Sequence, residues 1–452
     1  MEKVLLVCNY FAPDNTIAAI RLSKFAKYLM EYGIKVDCIT EKKENYPEDK
    51  LLKDDVHGVH TVYASNSKIF LKFEQIFNKF ITPFKKKRFS DLSNRNKINP
   101  KTGCIEFYPY ETAYPVLGSM EYLVGQIKQL DLYNSVKKYL KKTGDYDYLI
   151  TSYGDSFSYF AGRYYHRCHK KTVWILDIRD AIYRYKFTPS YVSLIPKSYE
   201  RYAWKNANGI IGVSKGICRR IPAKNRKKVC CITNGYDWAD RKEIDKEKTE
   251  RKKMIFTFTG SMYGGLMDLS VFFCAIAELL KKEVIIQDTI EFHFAGTSSA
   301  YEIFQSQAAK YGLSNCCINH GKLLRQDAMR LQGNSDILLS ASYDYETNKG
   351  GVITGKIFEY MTSGCPVISI IIGDIKNSEL ADIVRKTNIG IAYEASHHKR
   401  DYQQLLQYLE DQYKEKIQNG KVRYEPDKEE LRKYDYQELT KKLKRFMDKL
   451  RK

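Results

Sequence analysis

Residues 350–371 read GGVITGKIFEYMTSGCPVISII, a glycine-rich loop, a short helix and a buried strand in succession. Gly350, Gly351 and Gly355 permit close backbone approach and unusual φ/ψ angles. A helix starting near Gly355 would direct free N–H groups and the positive end of its dipole at an anion, and Lys356 adds a full charge. Glu359 follows Lys356 by three residues and Gly355 by four, so the three share a helix face, where a carboxylate can accept hydrogen bonds from two ribose hydroxyls. Gly364 suits the position just past the helix end, Pro366 stops the helix, and Val367–Ile372 has the unbroken apolar character of an interior parallel strand. α/β chains also contain strand–glycine–helix turns that bind nothing. The segment alone therefore leaves a nucleotide site and a plain turn as alternatives.

Outward from this segment the alternation of strand and helix continues in both directions. Upstream and downstream of it, strands are expected near Ile255–Thr259, Ile290–Ala295, Cys316–Asn319, Ile337–Ser340 and Ile389–Ala392. The chain opens in the same way. Val4–Tyr10 reads as a strand, a loop covers 11–17, Leu22, Phe25, Ala26 and Leu29 mark one face of a helix over 18–31, and Val36–Thr40 is a second strand. Further strands are expected at Tyr148–Ser152, Thr172–Asp177, Gly209–Val213 and Val229–Thr233, with helices at Leu130–Lys142 and Ser198–Ala207. A charged stretch, Asp237–Lys253, separates the two halves. The pattern predicts an α/β protein of two Rossmann-like doubly wound domains facing across a cleft. One spans 1–245 on the acceptor side and the other 246–434, and a terminal helix over 435–452 returns toward the first.

A chain of 452 residues exceeds what one core usually supports, in keeping with two domains. The eleven cysteines are scattered, with adjacent pairs at Cys230-Cys231 and Cys316-Cys317 and no paired CxxC units, so neither a zinc site nor a disulfide framework is suggested. No signal-peptide pattern precedes the first strand and no apolar run approaches a membrane span. The expectation is a cytoplasmic protein that is soluble or peripheral. The formal charge of +21, from 75 Lys and Arg against 54 Asp and Glu, favours anionic partners without choosing among them.

The segment 67–101 departs from the alternation. Ile69, Phe70, Phe73, Ile76, Phe77, Phe80 and Ile81 recur at helical spacing, and Lys85, Lys86, Lys87 and Arg88 follow. An aromatic amphipathic helix beside a basic cluster is the pattern of a peripheral anchor on an anionic membrane. Such a stripe equally describes a helix buried in a core.

Six segments together resemble the bacterial retaining glycosyltransferases of family 4, which have the GT-B fold, and within them the group that builds cell-surface polysaccharide. They are VLLVCNYFAPDNTIAAIRLSKFAKYL, WILDIRDA, ANGIIGVSKGI, CCITNGYD, FTFTGSMYGG and GKIFEYMTSGCPVIS, in family order over nearly the whole chain. The resemblance implies a nucleotide-sugar donor, UDP-linked, held by the C-terminal domain. It also implies a glycan or polyprenyl-diphosphate-linked acceptor held by the N-terminal one, at the inner face of the plasma membrane. Carried over by position, Glu359 would bind the donor ribose, and Lys356 with the amides around Gly351, Thr354 and Gly355 would sit near diphosphate and sugar. Gly260 and Ser261 would approach the phosphates, Gly296 would line the same pocket, and Asn15 and Thr16 would reach it from the first loop. Helix ends and Lys356 supply preorganised donors for departing phosphates, so no metal or cofactor is expected. Retention of configuration in the family is thought to use the departing phosphate as the base. Asp180, with Asp177 and Arg179 in WILDIRDA, would face the acceptor, as would Asp155 in SYGDS. Alternatively, Arg179 pairs with one of these acids to hold the loop.

Two departures from the family pattern stand out. Gly351 occupies the place of the first of two paired glutamates, and Leu266-Met267 replaces a cation commonly found in the preceding glycine loop. Lys322 or Arg325 would then be substitute cations. Two other classes stay open on the sequence: a GT-B nucleotide-sugar epimerase, and a nucleic-acid-binding protein that charge alone would explain, although no nucleic-acid recognition module is present.

Overall fold

A computed structural model describes residues 1–43, 46–93, 97–98, 105–106, 115–153, 156–180, 194–242, 253–263, 266–344 and 353–451. The chain divides into two compact units. The first comprises Met1–Asp91, Glu111–Asn234 and Tyr436–Lys452, and the second is chiefly Gly235–Asp435.

The first unit carries β1 (Lys3–Cys8), β2 (Lys35–Glu41) and β3 (His60–Ala64). Two-residue strands β4 (Lys97–Ile98) and β5 (Ile105–Glu106), in the segment Leu92–Tyr110 that belongs to the second unit, pair with each other, antiparallel. β6 (Tyr148–Tyr153), β7 (Val173–Ile178), β8 (Gly209–Gly212) and β9 (Val229–Cys231) complete the first sheet. Its order is β3-β2-β1-β6-β7-β8-β9, and every pairing is parallel. The strand β3 has no counterpart among the expected elements. It is an edge strand, half exposed, so it lacks the continuous apolar run that marks its buried neighbours.

Apolar clusters cover both faces of this sheet. On one face the helix Ile17–Glu31 packs beside the terminal helix Tyr436–Arg451, with the Phe25 and Tyr436 rings edge to face at 5.7 Å. The helices Lys68–Ser93 and Pro115–Leu140 lie next to each other, joined by Asp131, which accepts from Ser67 and Asn66, and by the Lys128–Glu74 ion pair.

Arg21, on the helix Ile17–Glu31 and only 1% exposed, ties this unit together. Its Nε and Nη2 donate to Asp177 at the end of β7 (2.8 Å at the shortest), and the guanidinium also donates to the carbonyls of Thr233 (2.6 Å) and Ile232 (2.9 Å). Ser152 Oγ donates to the same carboxylate at 2.9 Å. The cation that holds Asp177 is thus Arg21, from a distant helix, rather than its near neighbour Arg179.

The second unit contains β10 (Met254–Thr259), β11 (Ile290–Ala295), β12 (Cys317–Asn319), β13 (Ile337–Asp344), β14 (Val367–Gly373) and β15 (Gly390–Glu394). They form a parallel sheet in the order β12-β11-β10-β13-β14-β15. This is the Rossmann order, with a switch of direction between β10 and β13, where crevices for ligands open beyond the carboxyl ends of the strands.

Arg21→Met is expected to destabilise the first unit by about 3–5 kcal/mol, because it strands the buried Asp177 carboxylate without its counter-ion. Urea unfolding followed by tryptophan fluorescence measures this, and a loss under about 1 kcal/mol would contradict the hub assignment.

Candidate active site

The second unit's switch point is built from glycine turns. Gly260, directly after β10, has φ +109°, and its N–H donates to the Ala295 carbonyl at 2.6 Å. A Cβ on it would lie 2.6 Å from Cε of Lys356, so the lysine side chain crosses where only glycine leaves room. Gly296, directly after β11, is packed as tightly: a Cβ there would sit 2.5 Å from the Gly260 carbonyl and 2.8 Å from the Phe294 ring. Its N–H donates to Gly321 O beyond β12 at 2.9 Å. Three strand ends therefore close on one another.

Lys356 begins a helix of five residues, Lys356–Tyr360, capped by Gly355 in ordinary right-handed geometry (φ −61°). Its ammonium lies 4.0 Å from the centre of the Phe258 ring and donates to the Ser261 carbonyl at 3.5 Å. Burial pushes it down to about 7, with Glu359 opposing the shift. The residue as a whole retains some solvent exposure, so the ammonium is poorly hydrated yet open to an incoming anion. The adjacent Ser261 hydroxyl accepts from Tyr263 N–H (3.1 Å), and the buried Thr354 gives its carbonyl to Ile357 N–H (3.3 Å). Gly364, four residues beyond the helix, takes the left-handed φ of +74° that its place in the sequence anticipates.

Glu359 is held by two donors from the helix Arg325–Gly333. Its Oε1 accepts from Arg325 Nε at 3.3 Å and its Oε2 from Gln332 Nε2 at 3.4 Å. Gln332, buried, also donates to Thr259 Oγ1 (3.2 Å), and the Thr259 and Tyr360 hydroxyls share a hydrogen bond of 3.1 Å. Arg325 in turn donates to Asp240 at 2.5 Å. Arg325, expected as a substitute cation for phosphate, thus bridges two carboxylates, while Lys322 is exposed. Leu266 and Met267 are buried in the core, which explains in packing terms why they replace a cation. Sequence reasoning missed Gln332 and Asp240, since neither carries a local pattern. Their roles come from helices brought together by the fold.

In the first unit, Thr16 caps the helix Ile17–Glu31, its hydroxyl accepting from Ala18 N–H (3.5 Å), and Asn15 N–H donates to the Pro47 carbonyl (2.9 Å). Next to them lies a residue the sequence did not single out. Burial pushes the Asp14 carboxyl up to about 6, with Lys43 opposing and Glu41 adding to the rise. Beyond β7, Arg179 is partly buried and Asp180 exposed, whereas Asp177 is enclosed by Arg21 and Ser152. Gly350, Gly351 and Asp155 lie outside the described residues.

Residues 253–411 match the family Glycosyl transferases group 1. The matched segment contains Gly260, Gly296, Arg325, Lys356 and Glu359. No curated protein sequence matches the chain. Solved structures share the fold at low identity. Sucrose-phosphate synthase from Thermosynechococcus elongatus is 12% identical with a TM-score of 0.57, over 100% of this chain and 99% of that one. The lipopolysaccharide outer core galactosyltransferase WaaB is 13% identical with a TM-score of 0.54, over 99% of each. A mutant of S. aureus TarM, in complex with fondaparinux, alpha-GlcNAc-glycerol and UDP, is 13% identical with a TM-score of 0.55, over 99% of this chain and 100% of that one. The match assigns residues 253–411 to a glycosyl transferases group 1 domain, and the neighbours show the GT-B fold.

An anion arriving beside Lys356 favours the charged ammonium, so above pH 7 binding takes up a proton. The affinity for an intact nucleotide-sugar is expected to fall up to about tenfold per pH unit between pH 7 and 9, and calorimetry in buffers of different ionisation enthalpy reads the proton directly. Lys356→Met should remove both effects, and an unchanged pH profile in that variant would exclude Lys356 from the anion site.

Proposed function

We propose that this protein is a retaining glycosyltransferase that moves a hexosyl or hexosaminyl group from a UDP-sugar to a glycan or polyprenyl-diphosphate-linked acceptor in bacterial surface polysaccharide synthesis, such as capsule or exopolysaccharide. The observation that carries the proposal is the convergence of Gly260, Lys356 and Glu359 at the β10/β13 switch point, inside the segment that matches the glycosyltransferase family. The proposal assigns Lys356 to neutralising charge that develops on a departing diphosphate. It assigns Glu359, whose carboxylate accepts from Arg325 and Gln332, to the ribose hydroxyls. With the departing phosphate as base, transfer with retention needs no protein nucleophile, and the proposal invokes no metal or cofactor. Gly351 stands where the family places an acid, so the sugar itself would be held by fewer carboxylates.

On the acceptor side the proposal assigns Asp180 and Arg179, beyond β7, to the acceptor hydroxyls, with Asp14 as a further acid near its working pH. Asp177, enclosed by Arg21, is assigned to holding β7. The proposal also places the protein on an anionic membrane at the inner face of the plasma membrane. Ile69, Phe73, Ile76 and Phe80 form an exposed stripe at helical spacing on Lys68–Ser93, and Met120, Leu123, Ile127 and Leu130 form another on the adjoining Pro115–Leu140. Phe77 stacks on Phe73 at 6.3 Å. The side chains of Lys85, Lys86, Lys87 and Arg88 lie outside the described residues, and the sequence places them directly after the stripe.

With UDP at a hundredfold its Kd the native state gains about 2.7 kcal/mol, a rise in Tm of roughly 5–10 °C. Glu359→Ala is expected to lose most of that rise in differential scanning fluorimetry, and an undiminished shift would sink the ribose assignment. Replacing Phe73 and Phe77 by Ser and the four cations by Gln is expected to reduce cosedimentation with phosphatidylglycerol vesicles at least about tenfold. Equal cosedimentation would remove the membrane from the account.

A further inference from the structure

The second unit holds a cavity of about 770 Å³ at the end of its sheet opposite Lys356. Gly333 and Asn334, which lead into β13, and Gly364, which leads into β14, contribute to its wall. The volume is that of a small-molecule site. Its lining is mainly apolar and aromatic, with Tyr236 and Trp238 in edge-to-face contact at 5.4 Å and Tyr424 beside them.

Five of the lining residues are charged, Arg241, Arg330, Lys428, Arg432 and Asp435, and of these Arg241 alone is buried. Arg241 is 6% exposed, yet among the described residues its guanidinium forms no ion pair and donates only to the Met329 carbonyl, at 2.8 Å. Room for it is made at a specific place, since a Cβ on Gly333 would lie 1.9 Å from Arg241 Nη2. Asp435 also lines the cavity but forms no ion pair with Arg241, and Arg330, Lys428 and Arg432 add positive charge around it. Arg330 is engaged by Asp327 at 2.6 Å. Taking a cation out of water without a counter-ion is strongly unfavourable. An anion bound in the cavity would remove that cost.

We propose that this cavity is a binding site, separate from the nucleotide-sugar site, for an anionic amphiphile: a phosphate or carboxylate head paired with Arg241, and an apolar body against Tyr236, Trp238 and Tyr424. Arg241 sets the position of the head because, among the described residues, its donors have no other acceptor than the Met329 carbonyl. Lys428, exposed at the mouth, guides the anion in.

Trp238 reports on occupancy, being 44% exposed while the other two tryptophans, Trp174 and Trp204, are buried. The full-length protein is titrated with monomeric decyl phosphate, decanoate, decanol and inorganic phosphate, following tryptophan emission. Decyl phosphate or decanoate is expected to give a saturable blue shift with one site per chain, absent in Trp238→Phe, and the tighter of the two identifies the head. Arg241→Gln is expected to weaken that binding at least tenfold and the surface change Lys428→Glu at least threefold, with Lys356→Met leaving it unaltered. Inorganic phosphate or decanol binding as tightly as decyl phosphate would overturn the proposal, the first removing the need for an apolar body and the second the need for an anion. A response seen only with phosphatidylglycerol vesicles would assign Trp238 to a membrane surface and likewise overturn it. Should Arg241→Gln fail to fold, Lys428→Glu decides: unchanged binding of decyl phosphate in that variant counts against the site.

Discussion

A lysine ammonium lodged against a phenylalanine ring, with a backbone carbonyl for its hydrogen bond, sets the rest of the second unit's ligand edge. To bring Lys356 over Phe258, the chain after β10 must turn with positive φ and no side chain, which is the demand on Gly260. The Gly260 carbonyl then crowds the end of β11, which is the demand on Gly296. Phe258 and Phe294 stack at 5.8 Å beneath this rim and fix the floor. Arg325 and Gln332 donate to the two oxygens of Glu359, so that carboxylate is engaged by donors other than the Lys356 ammonium. The cation is left poorly hydrated and available.

The two units use buried charge in opposite ways. Arg21 and Asp177 satisfy each other, with the carbonyls of Thr233 and Ile232 completing the arginine's donors and Ser152 supporting the carboxylate. Breaking such a pair is costly, and nothing in it asks for a ligand. Lys356 and Arg241 are cations held mainly by carbonyl and ring contacts. Desolvated charge of that kind is where an anion gains most.

Much of the architecture was legible because parallel strands buried on both faces read as continuous apolar runs. Five of the six strands of the second sheet lie within about two residues of their expected bounds, and β13 runs on to Asp344. Edge strand β3, half exposed, carried no such run. At the candidate site, residues within one local motif were readable: Gly260, Gly296, Lys356 and Glu359 each sit at a strand end or helix start whose chemistry the sequence displays. Gln332, Asp240 and the pairing of Arg21 with Asp177 were not, because each depends on elements far apart in the chain. Arg325 was visible as a cation, but its two carboxylate partners were not, so the sequence suggested phosphate where the fold supplies Asp240 and Glu359.

The most direct measurement is release of nucleoside diphosphate from a panel of nucleotide-sugars, comparing the wild-type protein with Lys356→Met. Release from a UDP-sugar by the wild type, reduced by about a hundredfold or more in the variant, is the result predicted for a cation that stabilises the departing diphosphate. Release that is equal in the two proteins, or absent from the wild type across the panel in the presence of glycan and lipid-linked acceptors, would contradict the account.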